Sequence, residues 1–283
     1  MKRLLIISLL LLFTASPLAA RELTGTLKQV QETGKIRIGY RQAQPPISFL
    51  NQDGQADGYS IDLGKRIAAD IGTRLGKKIK VEYIPVTAAN RFQALIDNRI
   101  DLLCGATTKT LTRSEIVDFT QLTFVTGAGF MTLKGKKLIN NFDGKKLGVV
   151  KNTTTIDHLQ EMLKKTGAKA EIVPLASTDE AMKALLKGRI DAFTADQVVL
   201  IGLILGSNQP QRFSLLPNLY SFEPFALALR RNDADFRLAA DRVLSDLYRS
   251  QEIMKIYEKW FGRIGGGVPT LYKAMVRLNA TPE

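Results

Sequence analysis

The side chains that could do chemistry in this 283-residue chain are cationic, hydroxylic and acidic, and none of them forms a nucleophile set. Asn152-Thr153-Thr154-Thr155 stands directly before a helical pattern. Hydroxyls and free backbone N–H groups at a helix start cradle a carboxylate, though plain N-capping asks for the same residue types. Thr107-Thr108, followed by Arg113, offers a second anion cradle, because a guanidinium grips a carboxylate with two parallel hydrogen bonds. Asp196 ends an apolar strand, where it suits a ligand ammonium or a helix N-cap. Arg41, just past the first strand, and Arg91, on the first turn of its helix, are placed to face the same cleft or solvent. Taken together, these groups suit the recognition of a small ion carrying both signs of charge.

Other chemistries lack their residues. One histidine, His158, and one cysteine, Cys104, leave almost no material for a metal site or a catalytic triad, and a single cysteine forms no intramolecular disulfide. Cys104 lies in an apolar stretch and reads as a small buried hydrophobe. No phosphate-binding glycine loop and no nucleophile elbow occurs. Asn51 to Gly58 resembles a calcium loop only faintly, without the required spacing or the final glutamate, and reads as a surface turn. No metal and no cofactor is therefore expected. The formal charge of +13 raises the question of nucleic acid. The basic residues are interleaved with acids and form no stripe with aromatics, so nucleic acid is not an expected partner.

A unit that occurs twice must position these residues. Ala94-Leu95-Ile96-Asp97-Asn98-Arg99-Ile100-Asp101-Leu102-Leu103 is echoed by Ala184-Leu185-Leu186-Lys187-Gly188-Arg189-Ile190-Asp191-Ala192-Phe193. Each copy is a helix end, a turn, and an apolar-Asp step into a short buried strand. One strand leads to Gly105-Ala106-Thr107-Thr108, the other to Ala195-Asp196-Gln197. Ligands of open α/β sheets bind outside the carboxyl ends of strands, so two such ends predict one ligand held between two lobes. Strands are expected at 35–40, 79–85, 146–150, 170–173 and 191–194. Helices are expected at 60–75, from Thr87 to about 97, and at 154–165, 178–187, 233–248, 251–261 and 270–279. Extended runs at 122–133 and 222–229 are the candidate crossings between lobes, and such a pair permits closure.

Residues 1–20 carry Lys2-Arg3, an apolar run and Leu18-Ala19-Ala20, the pattern of a cleavable signal peptide. Its removal would lower the net charge by two. The expected division is 1–20 as leader, 21–124 with 226–283 as a discontinuous first lobe, and 125–225 as an inserted second lobe.

The chain resembles the bacterial periplasmic solute-binding proteins for polar amino acids, family 3, and within them the glutamate/aspartate-binding proteins of ABC importers. The resemblance spans the mature chain through Gly39-Tyr40-Arg41, Gly58-Tyr59-Ser60-Ile61-Asp62, Asn90-Arg91, Asp101 to Thr108, Arg113 and Asp118-Phe119-Thr120. It continues in Gly188 to Phe193, Asp196, Lys259-Trp260-Phe261 and Leu278-Asn279-Ala280. It implies a type II α/β fold of two lobes, each a βαβ-based sheet flanked by helices, joined by two crossing strands. It further implies a periplasmic monomer that captures an amino acid, glutamate or aspartate, and delivers it to a membrane permease without catalysis. By the same resemblance, Arg113 with Thr108 and Thr155 would hold the α-carboxylate, Asp196 the ammonium, and Arg41 and Arg91 a side-chain carboxylate. The sequence departs from the branch at Ala88, where the branch often carries a serine, and at Ala106, where its Cys-Gly-Ser-Thr-Thr run has one; some members also have a histidine near Thr178 and a disulfide cysteine at Leu227. Cyclohexadienyl dehydratases, which resemble the same family and use a cleft carboxylic acid as general acid, supply the alternative.

Overall fold

The computed structural model describes residues 22–136 and 142–283. The expected leader lies outside the described residues. Two five-stranded sheets form the two lobes. In the first sheet the order runs Lys80–Pro85, Lys35–Tyr40, Leu102–Cys104, Glu223–Arg230, Val117–Thr126. The second sheet runs Glu171–Leu175, Lys146–Val150, Ala192–Asp196, Ala128–Leu133, Phe213–Leu215. In each lobe the three βαβ strands on one side of the sheet are parallel, and the next strand pairs with them antiparallel. Apolar residues fill both faces of both sheets, as a sheet covered by helices on two sides requires.

The duplicated unit turns out to be a scaffold, and each copy makes the same contacts. Asp101 donates its N–H to the Arg37 carbonyl at 2.8 Å and accepts the Arg37 N–H on its carboxylate at 2.8 Å. Asp191 repeats both bonds with Lys146, at 2.7 and 2.8 Å. The turn before each Asp needs a left-handed residue, supplied by Asn98 at φ 57° and Gly188 at φ 67°. Ile100 covers Gly39 of the neighbouring strand, and Ile190 covers Gly148, so closely that a Cβ on either glycine would collide with the isoleucine Cδ1. The apolar-Asp step thus pins the third strand of each lobe to the first in fixed register. Asp101 is fully buried and also takes Arg37 and Arg230 as ion-pair partners.

Most expected elements occur within two residues of their bounds. Helix Arg91–Ile96 is shorter than expected, because Thr87 and Asn90 first exchange hydrogen bonds in a turn of their own. Helices Gly25–Thr33 and Gln197–Leu205 were not anticipated. The second is apolar on every side, so helical periodicity gives no signal there. The C-terminal helix Thr270–Leu278 docks on the first lobe, burying Tyr272, Met275 and Val276, with the Tyr272 hydroxyl 2.9 Å from that of Tyr59.

The chain crosses between lobes twice, side by side. Val117–Thr126 belongs to the first sheet, and after Gly127 the strand Ala128–Leu133 belongs to the second. The return runs from Phe213–Leu215 to Glu223–Arg230. The two passages are tied together by Ala128 N–H to Ser221 Oγ at 2.9 Å and by Tyr220 N–H to the Ala128 carbonyl at 3.0 Å.

The glycine–isoleucine contact gives a stability prediction. Gly148→Ala should destabilise the second lobe by about 1–3 kcal/mol through overpacking. Ile190→Val removes the colliding Cδ1, so the double variant should recover much of that loss, which chemical denaturation would measure. Additive losses would show that the contact is not the cause.

Candidate functional site

The sequence-predicted residues converge where the lobes face each other. Arg41 follows directly on strand Lys35–Tyr40, with its backbone N–H fixed to Ser48 Oγ at 2.9 Å. Gly105 lets the Arg41 stem pass, since a Cβ there would lie 3.0 Å from its Cγ. Arg91 opens helix Arg91–Ile96 and Arg113 sits in the short helix Leu111–Ser114. Both guanidiniums lie over the Phe92 ring, at 4.5 and 5.4 Å from its centroid, a cation–π arrangement. Thr107 and Thr108 follow strand Leu102–Cys104, and Thr154 and Thr155 form the first turn of helix Thr154–Thr166. Asp196 closes strand Ala192–Asp196 at the start of the next helix, yet its side chain makes no capping bond.

Burial gives the cluster its electrostatics. Arg41, Arg91, Thr107, Thr108 and Thr155 are all buried. Desolvation lowers Arg41 to about 10, the nearby Asp196 opposing. Desolvation lowers Arg91 to about 8, with Arg113 and Arg41 repelling its charge. Arg113 is lowered by burial too, against the attraction of Glu223 and Asp196. Asp196 is pushed up to about 8, first by burial and then by Glu223, with Arg113 and Arg91 resisting. Three polar atoms in this cluster, Asp196 Oδ1, Arg91 Nε and Thr107 Oγ1, are sealed from solvent without a hydrogen-bond partner. Such groups are costly unless paired, and together they present an acceptor for an ammonium and donors for a carboxylate.

The lobes touch around this cluster. Arg91 donates to the Asn152 carbonyl at 3.1 Å across the cleft and to the Ala88 carbonyl on its own side. Thr178 Oγ1, from the second lobe, donates to the Ala43 carbonyl of the first at 2.6 Å. Gly202 meets the Pro45 carbonyl so closely that any Cβ would collide with it. Val198 and Val199 join the first lobe's core, and Ala88 joins the second's.

One charged residue of the cluster escaped the sequence reading. Glu223 is fully buried and accepts hydrogen bonds from Thr108, Thr154 and Ser221. A lone acid inside the apolar run 222–229 was the available signal. His158 Nε2 lies 3.6 Å from its Oε1. Ala106 receives no side-chain role; its N–H donates to Gln44 Oε1 at 3.2 Å. Leu227 is simply core. Among the described residues no cluster of three or more His, Cys, Asp or Glu could hold a metal.

Two α/β lobes joined by paired crossings, with charged and hydroxylic groups converging between them, define a two-lobed solute-binding protein. The chain belongs to the bacterial extracellular solute-binding proteins, family 3, which match residues 36–263. It is 32% identical over 252 residues to an L-glutamate/L-aspartate-binding protein of Pseudomonas aeruginosa, covering 87% of this chain and 83% of that one. It is 28% identical to a glutamate/aspartate import solute-binding protein of Salmonella typhimurium, covering 83% and 79%. Among solved structures it superposes on an ancestral amino acid-binding protein, a precursor of cyclohexadienyl dehydratase, with a TM-score of 0.70 and 26% identity, over 84% of this chain and all of that one.

Two predictions follow from the geometry. Gly202→Ala should hold the lobes apart and weaken ligand binding while leaving each lobe folded; scattering at saturating ligand should give a larger radius than wild type. An unchanged radius and affinity would mean that the lobes do not close on Gly202. The second concerns pH. Asp196 would lose its proton near 3.8 when unfolded and near 8 when folded. Between those values the folded state binds more protons, so this contribution to stability is greatest below about pH 4 and fades as pH climbs toward 8. Arg91, lowered to about 8, adds a pH dependence only above that window. Denaturation of the ligand-free protein at about pH 5 and pH 8 should therefore show a gap that Asp196→Asn narrows.

Proposed function

We propose that the protein captures an acidic L-amino acid, glutamate or aspartate, between its lobes in the periplasm and passes it to the membrane permease of an ABC importer. The observation that carries this reading is the interlobe cluster of Arg41, Arg91 and Arg113 around Asp196, whose sealed Oδ1 has no partner. Asp196 suits the ammonium; Arg113, with Thr107 and Thr155, suits the α-carboxylate; Arg41 and Arg91 suit the side-chain carboxylate. Once a ligand ammonium has ionised Asp196, three guanidiniums against Asp196 and Glu223 leave one positive charge in excess, and an acidic amino acid carries one net negative charge. Neutral amino acids leave that excess uncompensated, which is costly in a desolvated site. The glutamate/aspartate relatives point the same way. We further assign residues 1–20 as a cleavable signal peptide, 21–124 with 226–283 and 125–225 as the lobes that close on the ligand, and the monomer as the working unit.

A second reading has one observation of its own. A cleft carboxyl pushed up to about 8 is protonated at neutral pH and could serve as a general acid, as a dehydratase on this fold would need. Incubation with prephenate or arogenate, watched for an aromatic product, tests it.

Calorimetry should show glutamate or aspartate binding at least about tenfold more tightly than glutamine and asparagine. Arg41→Ala should narrow that ratio, and Asp196→Asn should abolish measurable binding, at a cost of about 2–5 kcal/mol. A ligand ammonium favours ionised Asp196, so binding at about pH 7 should release protons to the buffer, and Asp196→Asn should remove that release. Tighter binding of glutamine than glutamate by the wild type would end the acidic-ligand assignment.

A further inference from the structure

We infer that Glu223 is a positioning residue of the ligand site, an interlobe clasp that ties Thr108 of the first lobe to Thr154 of the second. This rests on the reading of the cleft between the lobes as the ligand site. Glu223 belongs to the returning crossing strand and pairs with Thr126 of the outgoing one, so it stands where the lobes hinge. It is fully buried, and both carboxylate oxygens are engaged. Oε2 receives Thr108 Oγ1 at 2.5 Å and Thr154 Oγ1 at 2.8 Å, while Oε1 receives Ser221 Oγ at 2.8 Å.

The donor count decides what those threonines can do. An ionised carboxylate only accepts, and each threonine hydroxyl has one proton. Both protons are directed to Glu223, so Thr108 and Thr154 turn lone pairs, not donors, toward the cleft. The resemblance assigns Thr108 to the ligand α-carboxylate; the observed bond assigns its hydroxyl to the clasp instead. Arg113 stays beside this arrangement, donating to the Thr108 carbonyl at 2.7 Å. Of the bonds on Glu223, the one from Thr154 spans the lobes, since Thr154 starts the first helix of the second lobe while Thr108 follows a strand of the first. Closure completes this bond beside the ligand, and opening must break it. A charge-assisted bond of this kind, kept from water, acts on the dissociation step.

Thr154→Val tests the clasp with little change of volume at a half-buried helix start, and Glu223→Gln removes its charge and one of its acceptor oxygens. With whichever amino acid binds wild type most tightly in a screen of the twenty, each variant should raise the dissociation rate about tenfold. The association rate should hardly change. The double variant should dissociate more slowly than the product of the two single effects predicts, because both changes act on the bond between Thr154 and Glu223. Multiplying effects, or an unchanged dissociation rate in Thr154→Val, would overturn the clasp. If Glu223→Gln fails to fold, Thr108→Val and Thr154→Val with their double variant carry the same cycle. If wild type binds no amino acid, the reading of the cleft fails separately. The clasp is then judged by hydrogen exchange in the ligand-free protein, where Thr154→Val should speed exchange at the start of helix Thr154–Thr166 and equal rates would refute it.

Discussion

Charge buried between two lobes must be compensated, and most of this structure can be understood from that constraint. Three arginines and two acids meet where neither lobe alone could hold them. The three guanidiniums and the Asp196 carboxyl are displaced from their ordinary titration, chiefly because burial excludes water. Some of that charge is met within the protein, as in the three hydroxyls on Glu223. The rest, at Asp196 Oδ1 and Arg91 Nε, is left for a partner of opposite sign. On the proposed reading of the cleft, affinity and selectivity share one origin. A ligand that completes the charge pattern also removes the penalty for bringing the lobes together.

The duplicated unit serves this cluster from a distance. Asp101 and Asp191 touch nothing in the cleft, yet each fixes the register of the strand whose far end carries cleft residues. Glycines under isoleucines let the strands approach closely enough for that register to be tight. Precision at the cleft is inherited from the two sheets, which the paired crossings join. Placing binding residues at strand ends and helix starts leaves them fixed in each lobe but separable between lobes.

The same division accounts for the interlobe contacts. Arg91 to Asn152, Thr178 to Ala43, and Gly202 against Pro45 are all contacts of side chain or bare Cα with a backbone carbonyl. Such contacts are short-range and directional, so they reward one closed arrangement. The Thr178 hydroxyl holds the opposite lobe.

The sequence by itself determined the two-lobed α/β plan, because period-2 strands, amphipathic helices and the repeated apolar-Asp step are local patterns that survive in one dimension. It also determined the type of site, since three arginines and an aspartate at strand ends and helix starts are legible as residue chemistry. Helix Gln197–Leu205 was not legible, because a segment apolar all round has no periodicity to read. Only the tertiary structure decided that the charges meet, that Asp196 leaves its carboxylate uncapped, and that Thr108 and Thr154 spend their protons on Glu223. Glu223 is 115 residues from Thr108 and 69 from Thr154. No local pattern encodes a hydrogen bond across such separations; folding two sheets onto paired crossings creates it.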